Sequence, residues 1–265
     1  DALPILEHSL VLSQETAKEA FTSCIGHSIR ESMYPIIEDI KVFLTYPQTM
    51  RSIMICGPHK SGKHHLLRCI MQYLKIDTEQ LLHIDCAAIA LGKLTISDIM
   101  QRIDTSLDQE KSNIILFENL DALTELPASI TTMETLLRFY QRMAESNELN
   151  LLFLAVTAMN EHFLQLQKLF QKVYELPDLN SRTLKEKYEF VLHFMQNEAD
   201  AIGKTISLSS SILNCFATAC YPGNLQYLKQ ELRHALSYAY IQSSQQQETF
   251  ITIDYQHLSD ELLAS

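Results

Sequence analysis

Residues 52–64 read Ser-Ile-Met-Ile-Cys-Gly-Pro-His-Lys-Ser-Gly-Lys-His: an apolar run, a loop bounded by glycines, and a lysine where a helical pattern begins. Few features constrain a fold more. Gly57 and Gly62 let the backbone turn so that its N–H groups face inward. The helix continuing through Leu66, Leu67 and Ile70 adds its positive N-terminal end. The spacing is that of a phosphate-binding loop up to its final position, with strand, loop and helix in the required order. Gly57, Pro58, His59, Lys60, Ser61, Gly62, Lys63, His64 and His65 are therefore candidate nucleotide-binding residues. Lys63 is the one expected to reach the terminal phosphates of ATP or ADP as a point charge, whereas His65 reads as a solvent-side residue of the first helical turn.

The rest of the chain supplies the scaffold such a loop needs. Ser52–Cys56, Asn113–Phe117 and Asn150–Val156 are nearly unbroken apolar runs, as expected of central strands in a parallel sheet covered on both faces, and Leu81–Asp85 is a fourth candidate. Helical periodicity fills the intervals at His64–Leu74, Ile96–Ser106 and Ser129–Ser146. Alternation of this kind predicts an α/β fold, a doubly wound parallel sheet, over residues 1–179 with a helical lead-in. From Arg182 to Tyr240 only helical periodicity remains, broken at Gly203–Leu208 and Tyr221–Asn224, so residues 180–265 are expected to form a helical lid domain. A short strand-like segment and helix, Phe250–Leu263, ends it.

Hydrolysis on such a sheet needs an acid at a second strand end to hold the Mg²⁺ shell, and a further acid to polarise water. The run ending at Phe117 is followed by Glu118-Asn119-Leu120-Asp121. Glu118 is the metal candidate, from one methylene further out than an aspartate. Asn119 has no proton-accepting carboxylate, and Asp121 is a substitute base or a cap. At the end of the third run, Thr157 either is placed for a γ-phosphate or its water, with Asn160 more distant, or simply terminates a buried strand. His64 stands where Ser or Thr would hold Mg²⁺, and a neutral imidazole is a poor ligand for a hard cation. Any Mg²⁺ is expected to be weakly held, through water.

Together these segments resemble the AAA+ ATPases, nearest in flavour to the bacterial enhancer-binding activators of the alternative sigma factor. Ile25-Gly-His-Ser28 with a helix behind it, Ile84-Asp-Cys-Ala-Ala-Ile89, and Tyr221-Pro-Gly-Asn-Leu225 carry the likeness, which spans roughly residues 20 to 240. The resemblance implies Lys63 on phosphate, Glu118 at the metal position, Asn119 at the catalytic-acid position and Thr157 near the sensor. It also exposes departures. Gln226 stands where the activators place a lid arginine, and no arginine lies between Arg142 and Arg182, where a finger would be found; Lys168 and Lys172 are the cations there. The Gly-Ala-Phe-Thr-Gly-Ala loop that grips sigma factor is missing between Ile89 and Asn113. Loss of an arginine finger alone costs on the order of 10³ in rate. The resemblance thus implies a nucleotide-holding subunit, with slow or no hydrolysis, in a homo- or hetero-oligomer with other protein subunits. The alternatives are a working ATPase that remodels protein or nucleic-acid complexes, and an interaction domain with a relic loop.

Net charge is −11 with the basic residues scattered, which disfavours direct nucleic-acid binding. The six cysteines sit mostly in apolar runs without CxxC or His/Cys metal-ligand spacing, so they read as small buried hydrophobes of a reducing, cytoplasmic location. No apolar stretch approaches the roughly 20 residues of a bilayer span, and the first residues lack a signal-peptide layout.

Overall fold

The computed structural model describes residues 20–46, 50–76, 81–107, 113–125, 127–147, 150–159, 163–245 and 250–264. The chain divides into two compact units. One holds the stretch ending at Cys24, Pro35–Gly57 and Lys63–Leu176; the other holds Ile25–Tyr34, Pro58–Gly62 and Pro177 onward.

The first unit is built on five parallel strands. These are β1 (Met50–Cys56), β2 (Leu81–Asp85), β3 (Asn113–Glu118), β4 (Leu151–Val156) and β5 (Lys172–Glu175), in the order β2-β3-β4-β1-β5. The unbroken apolar runs take the centre: every residue of β4 is buried, as are all but one each of β1 and β3. β2 and β5, at the edges, are only partly covered. Helix α1 (Tyr34–Thr45) leads into β1, and α2 (Lys63–Tyr73), α3 (Cys86–Ala90), α4 (Ile96–Ser106), α5 (Pro127–Asn147) and α6 (Phe163–Gln167) lie between the strands. A core of Met54, Ile99, Ile115, Phe117, Tyr140 and Phe153 packs the sheet against its helices, with Phe117 and Phe153 stacked at 5.9 Å. α2 buries Leu66, Leu67 and Ile70, each contributing about 1.5–3 kcal/mol on leaving water.

Register decides what meets at the strand ends. Asp85 lies beside Glu118, and Glu118 beside Val156, while Cys56 ends β1 next to Glu175 of β5. The carboxyl ends of β2 and β3 therefore share one edge with the end of β4, where Thr157 follows. β5, four residues long with polar ends, carries too little apolar pattern to be legible in the sequence.

The second unit contains α7 (Leu184–Ile202), β6 (Thr205–Leu208), α8 (Ser210–Thr218), α9 (Asn224–Gln245), β7 (Phe250–Ile253) and α10 (Asp260–Ala264). Between Arg182 and Tyr240 it is not all helix and breaks, contrary to the expectation from periodicity: residues 205–208, read as part of a break, form β6 and pair in parallel with β7, the expected terminal strand, from Thr205↔Phe250 to Leu208↔Ile253. Four residues of alternating Thr-Ile-Ser-Leu are too few for a strand signal, and long-range pairing supplies the rest. Phe190, Met195, Phe216, Leu232, Ile251 and Ile253 share its core. α7 starts on a capping box, Thr183 with Glu186, and stops at Gly203 in the left-handed region.

Glu186 has a wider role. It is fully buried and accepts from Ser32 N at 3.1 Å, from the Ser32 hydroxyl, and from Thr183 N and Oγ1 at 2.9 Å each. Arg182 Nη1 lies 3.8 Å from it and donates to Ile25 O at 3.2 Å. Gly26 passes so close, at φ +88°, that a Cβ there would stand 2.2 Å from Glu186 Oε1. Across the same unit, buried Asn224 accepts from Leu179 N at 3.0 Å and donates to Asp178 Oδ2 at 2.9 Å, fixing the Tyr-Pro-Gly-Asn turn. Two of the segments carrying the sequence resemblance are thus anchored by buried polar contacts.

Candidate nucleotide site

Gly57, the first residue of the loop, has φ +141°, and a Cβ would lie 2.9 Å from Leu176 O. Only glycine fits both the angle and the space. Lys60 at φ +58° and Gly62 at φ +102° turn the chain twice more before α2 begins at Lys63. Successive turns of this kind aim backbone N–H groups into a concavity suited to an anion. Pro58 is half-buried, and His59 and Lys60 are exposed. The Lys63 side chain is buried, and its Nζ donates to Gly57 O at 2.9 Å, so the amine is turned back onto the loop it closes. Ser61 is 1% exposed and its Oγ has no hydrogen-bond partner among the described residues. A buried, unsatisfied hydroxyl costs about 1–3 kcal/mol, which a phosphate oxygen would offset. Loop, lysine and orphaned hydroxyl fit a nucleoside polyphosphate.

The strand ends fit Mg²⁺ poorly. His64, exposed on the first turn of α2, brings Nε2 to 3.0 Å from Glu118 Oε1, and His83 on β2 brings Nε2 to 2.8 Å from Oε2. A carboxylate only accepts, so both imidazoles donate and both oxygens are engaged. Nor does His64 offer the hydroxyl oxygen a hard cation prefers. Asn119, at φ +54°, donates from Nδ2 to Asp85 Oδ1 at 2.8 Å. The same oxygen accepts from Ala87 N at 3.0 Å and caps α3. Asp121 Oδ1 accepts from Ala158 N and from Thr157 Oγ1, both at 3.1 Å. Thr157 is buried, with its hydroxyl also 3.0 Å from Ala158 O. Asn160 lies outside the described residues.

Other expectations meet the structure less simply. His65 is not a solvent-side residue: it is half-buried, with Nε2 3.0 Å from Ser23 O, because the segment before α1 covers that part of α2. Lys172 is paired with Asp39, Nζ to Oδ2 at 2.9 Å. That bond, against burial and with help from Tyr174, holds the Asp39 carboxyl below its usual range. Lys168 is exposed, and Gln226 is exposed on the first turn of α9. Sequence reasoning missed His83 and Asp85 as members of the strand-end network. The available signal was a pair of polar residues at the end of an edge strand, which register alone converts into neighbours of Glu118.

No protein-family model and no curated protein sequence matches the chain. Solved structures do. NtrX from Brucella abortus in complex with ATP is similar over 90% of this chain and 54% of its own, at 17% identity and TM-score 0.59. The same protein in complex with ADP is similar over 90% and 55%, at 13% identity and TM-score 0.57. A point variant of RuvB from Thermotoga maritima is similar over 88% and 68%, at 11% identity and TM-score 0.59. The chain spans about half the length of the NtrX chains it matches. At such identities the likeness is one of fold, and the fold is that of the AAA+ P-loop NTPases. Among the described residues no helix is long and apolar enough to cross a membrane.

Proposed function

We propose that this chain is a nucleotide-holding AAA+-like module. ATP or ADP binds at the loop 57–65, with hydrolysis slow or absent, and the module serves as a regulatory or architectural subunit of a larger protein assembly. The observation that carries the reading is the loop of positive-φ residues after β1, with the buried Lys63 amine turned back onto Gly57 O. NtrX complexes with ATP and with ADP lend the ligand class. Lys63 neutralises phosphate charge, the loop amides orient it, and the α2 N-terminus adds its partial charge.

Weak turnover follows from the strand ends. Glu118 is occupied by His64 and His83, so Mg²⁺ is held weakly. Asn119 donates where a base would accept, and Asp121 is engaged with Thr157 and Ala158. The competing reading, a working ATPase, needs Asp121 to be released as base and a partner subunit to lend an arginine.

Equilibrium binding of a fluorescent ATP analogue, with and without Mg²⁺, tests the ligand. The expected result is saturable binding that unlabelled ATP and ADP both displace. No binding at millimolar nucleotide would leave the loop a relic and overturn the proposal.

A further inference from the structure

His65 and Cys69 stand one turn apart on α2, the spacing at which side chains share a helix face. The segment before α1 brings Cys24 against them, with Cys24 Sγ 3.3 Å from Cys69 Sγ. Both sulfurs and one ring nitrogen of His65 lie within 4.8 Å of one another. Both cysteines are buried and neither is in a disulfide. His65 Nε2 lies 3.0 Å from Ser23 O. A carbonyl only accepts, so Nε2 carries the proton of the neutral ring and Nδ1 keeps its lone pair. Metal-bound histidines characteristically hold their other nitrogen this way, against a backbone carbonyl.

Thiolate and imidazole ligands favour Zn²⁺ over the oxygen-seeking Mg²⁺ of a nucleotide site. With Zn–S near 2.3 Å, a tetrahedral site places two sulfurs about 3.8 Å apart, roughly half an ångström beyond the present separation. We propose that Cys24, His65 and Cys69 bind one Zn²⁺ ion, with water in the fourth position. Each sulfur coordinates as thiolate and releases its proton to solvent. The ion ties the segment ending at Cys24 to the helix that opens at Lys63. It belongs to the first unit alone and does not rest on the nucleotide reading.

The test is metal binding by the full chain, purified reduced, stripped with chelator and titrated with Co²⁺ and then Zn²⁺. Co²⁺ is expected to give a thiolate-to-cobalt charge-transfer band and the strong visible bands of a tetrahedral site, at one equivalent, both abolished by Zn²⁺. Cys24→Ser, His65→Ala and Cys69→Ser should each weaken Zn²⁺ binding at least about tenfold, while Cys220→Ser, at an exposed cysteine, leaves it unchanged. Should Cys69→Ser fail to fold, the other two variants decide. A folded wild-type chain without the charge-transfer band, or a band that survives Cys24→Ser and His65→Ala, would overturn the proposal. Nucleotide affinity is not the readout, so this failure would leave the proposed ATP site standing.

Discussion

Glu186 and Glu118 each sit at the centre of a hydrogen-bond network, and the two networks differ chiefly in their access to water. Glu186 and Arg182 have side chains 0% and 3% exposed, with partners drawn from Ile25–Ser32 and Thr183. Glu118 is 23% exposed between His64 at 65% and His83 at 49%. In the first network, removing a partner leaves a buried charge uncompensated. In the second, water or a ligand can replace any partner at little cost. Burial thus separates a polar cluster that fixes architecture from one whose partners can change at little cost.

Glu186→Ala should break this comparison most visibly. It leaves Arg182 buried beside lost partners, and a loss of about 3–5 kcal/mol is expected in urea unfolding. The pH dependence of stability sharpens the point. Burial opposes the Glu186 charge, but the bonds from Ser32 and Thr183 outweigh it and hold the carboxyl below its ordinary 4.5. A depressed folded value stabilises above the unfolded one and is lost as pH falls. Stability should therefore decline below about pH 4.5, and Glu186→Gln should remove part of that slope.

Gly26→Ala comes next, since its Cβ would press on Glu186 Oε1 at a backbone angle disfavouring side chains. About 2 kcal/mol, read as a lower melting temperature, is the expected cost. On the nucleotide side, Lys63→Ala should weaken ATP binding roughly ten- to hundredfold by calorimetry, the value of about 1.5–3 kcal/mol for a hydrogen bond to a charged group. The smallest effect belongs to the exposed network. His64→Thr should leave stability within about 0.5 kcal/mol while letting Mg²⁺ strengthen ATP binding a few-fold more than in the wild type.

The parts of this molecule that are contiguous in sequence could be read from it. The loop from Gly57 to Lys63, the central strands and the capped helix after Thr183 carry their causes within a few residues. β5 and β6 are four residues each and exist through pairing. His83 and Asp85 matter because register sets them beside Glu118, and Cys24 meets His65 and Cys69 across 41 and 45 positions of sequence. Gly26 reads as a turn glycine, while its closest constraint is a carboxylate 160 residues away. Periodicity and propensity report local chemistry; neighbours made by folding leave no local trace.

Most direct is a turnover measurement on the purified chain with saturating ATP and Mg²⁺, run beside Lys63→Ala. Bound nucleotide that Lys63→Ala releases, with turnover well below about 0.1 s⁻¹ in both proteins, is the predicted result. Sustained hydrolysis above that rate in the wild type, abolished by Lys63→Ala, would contradict it.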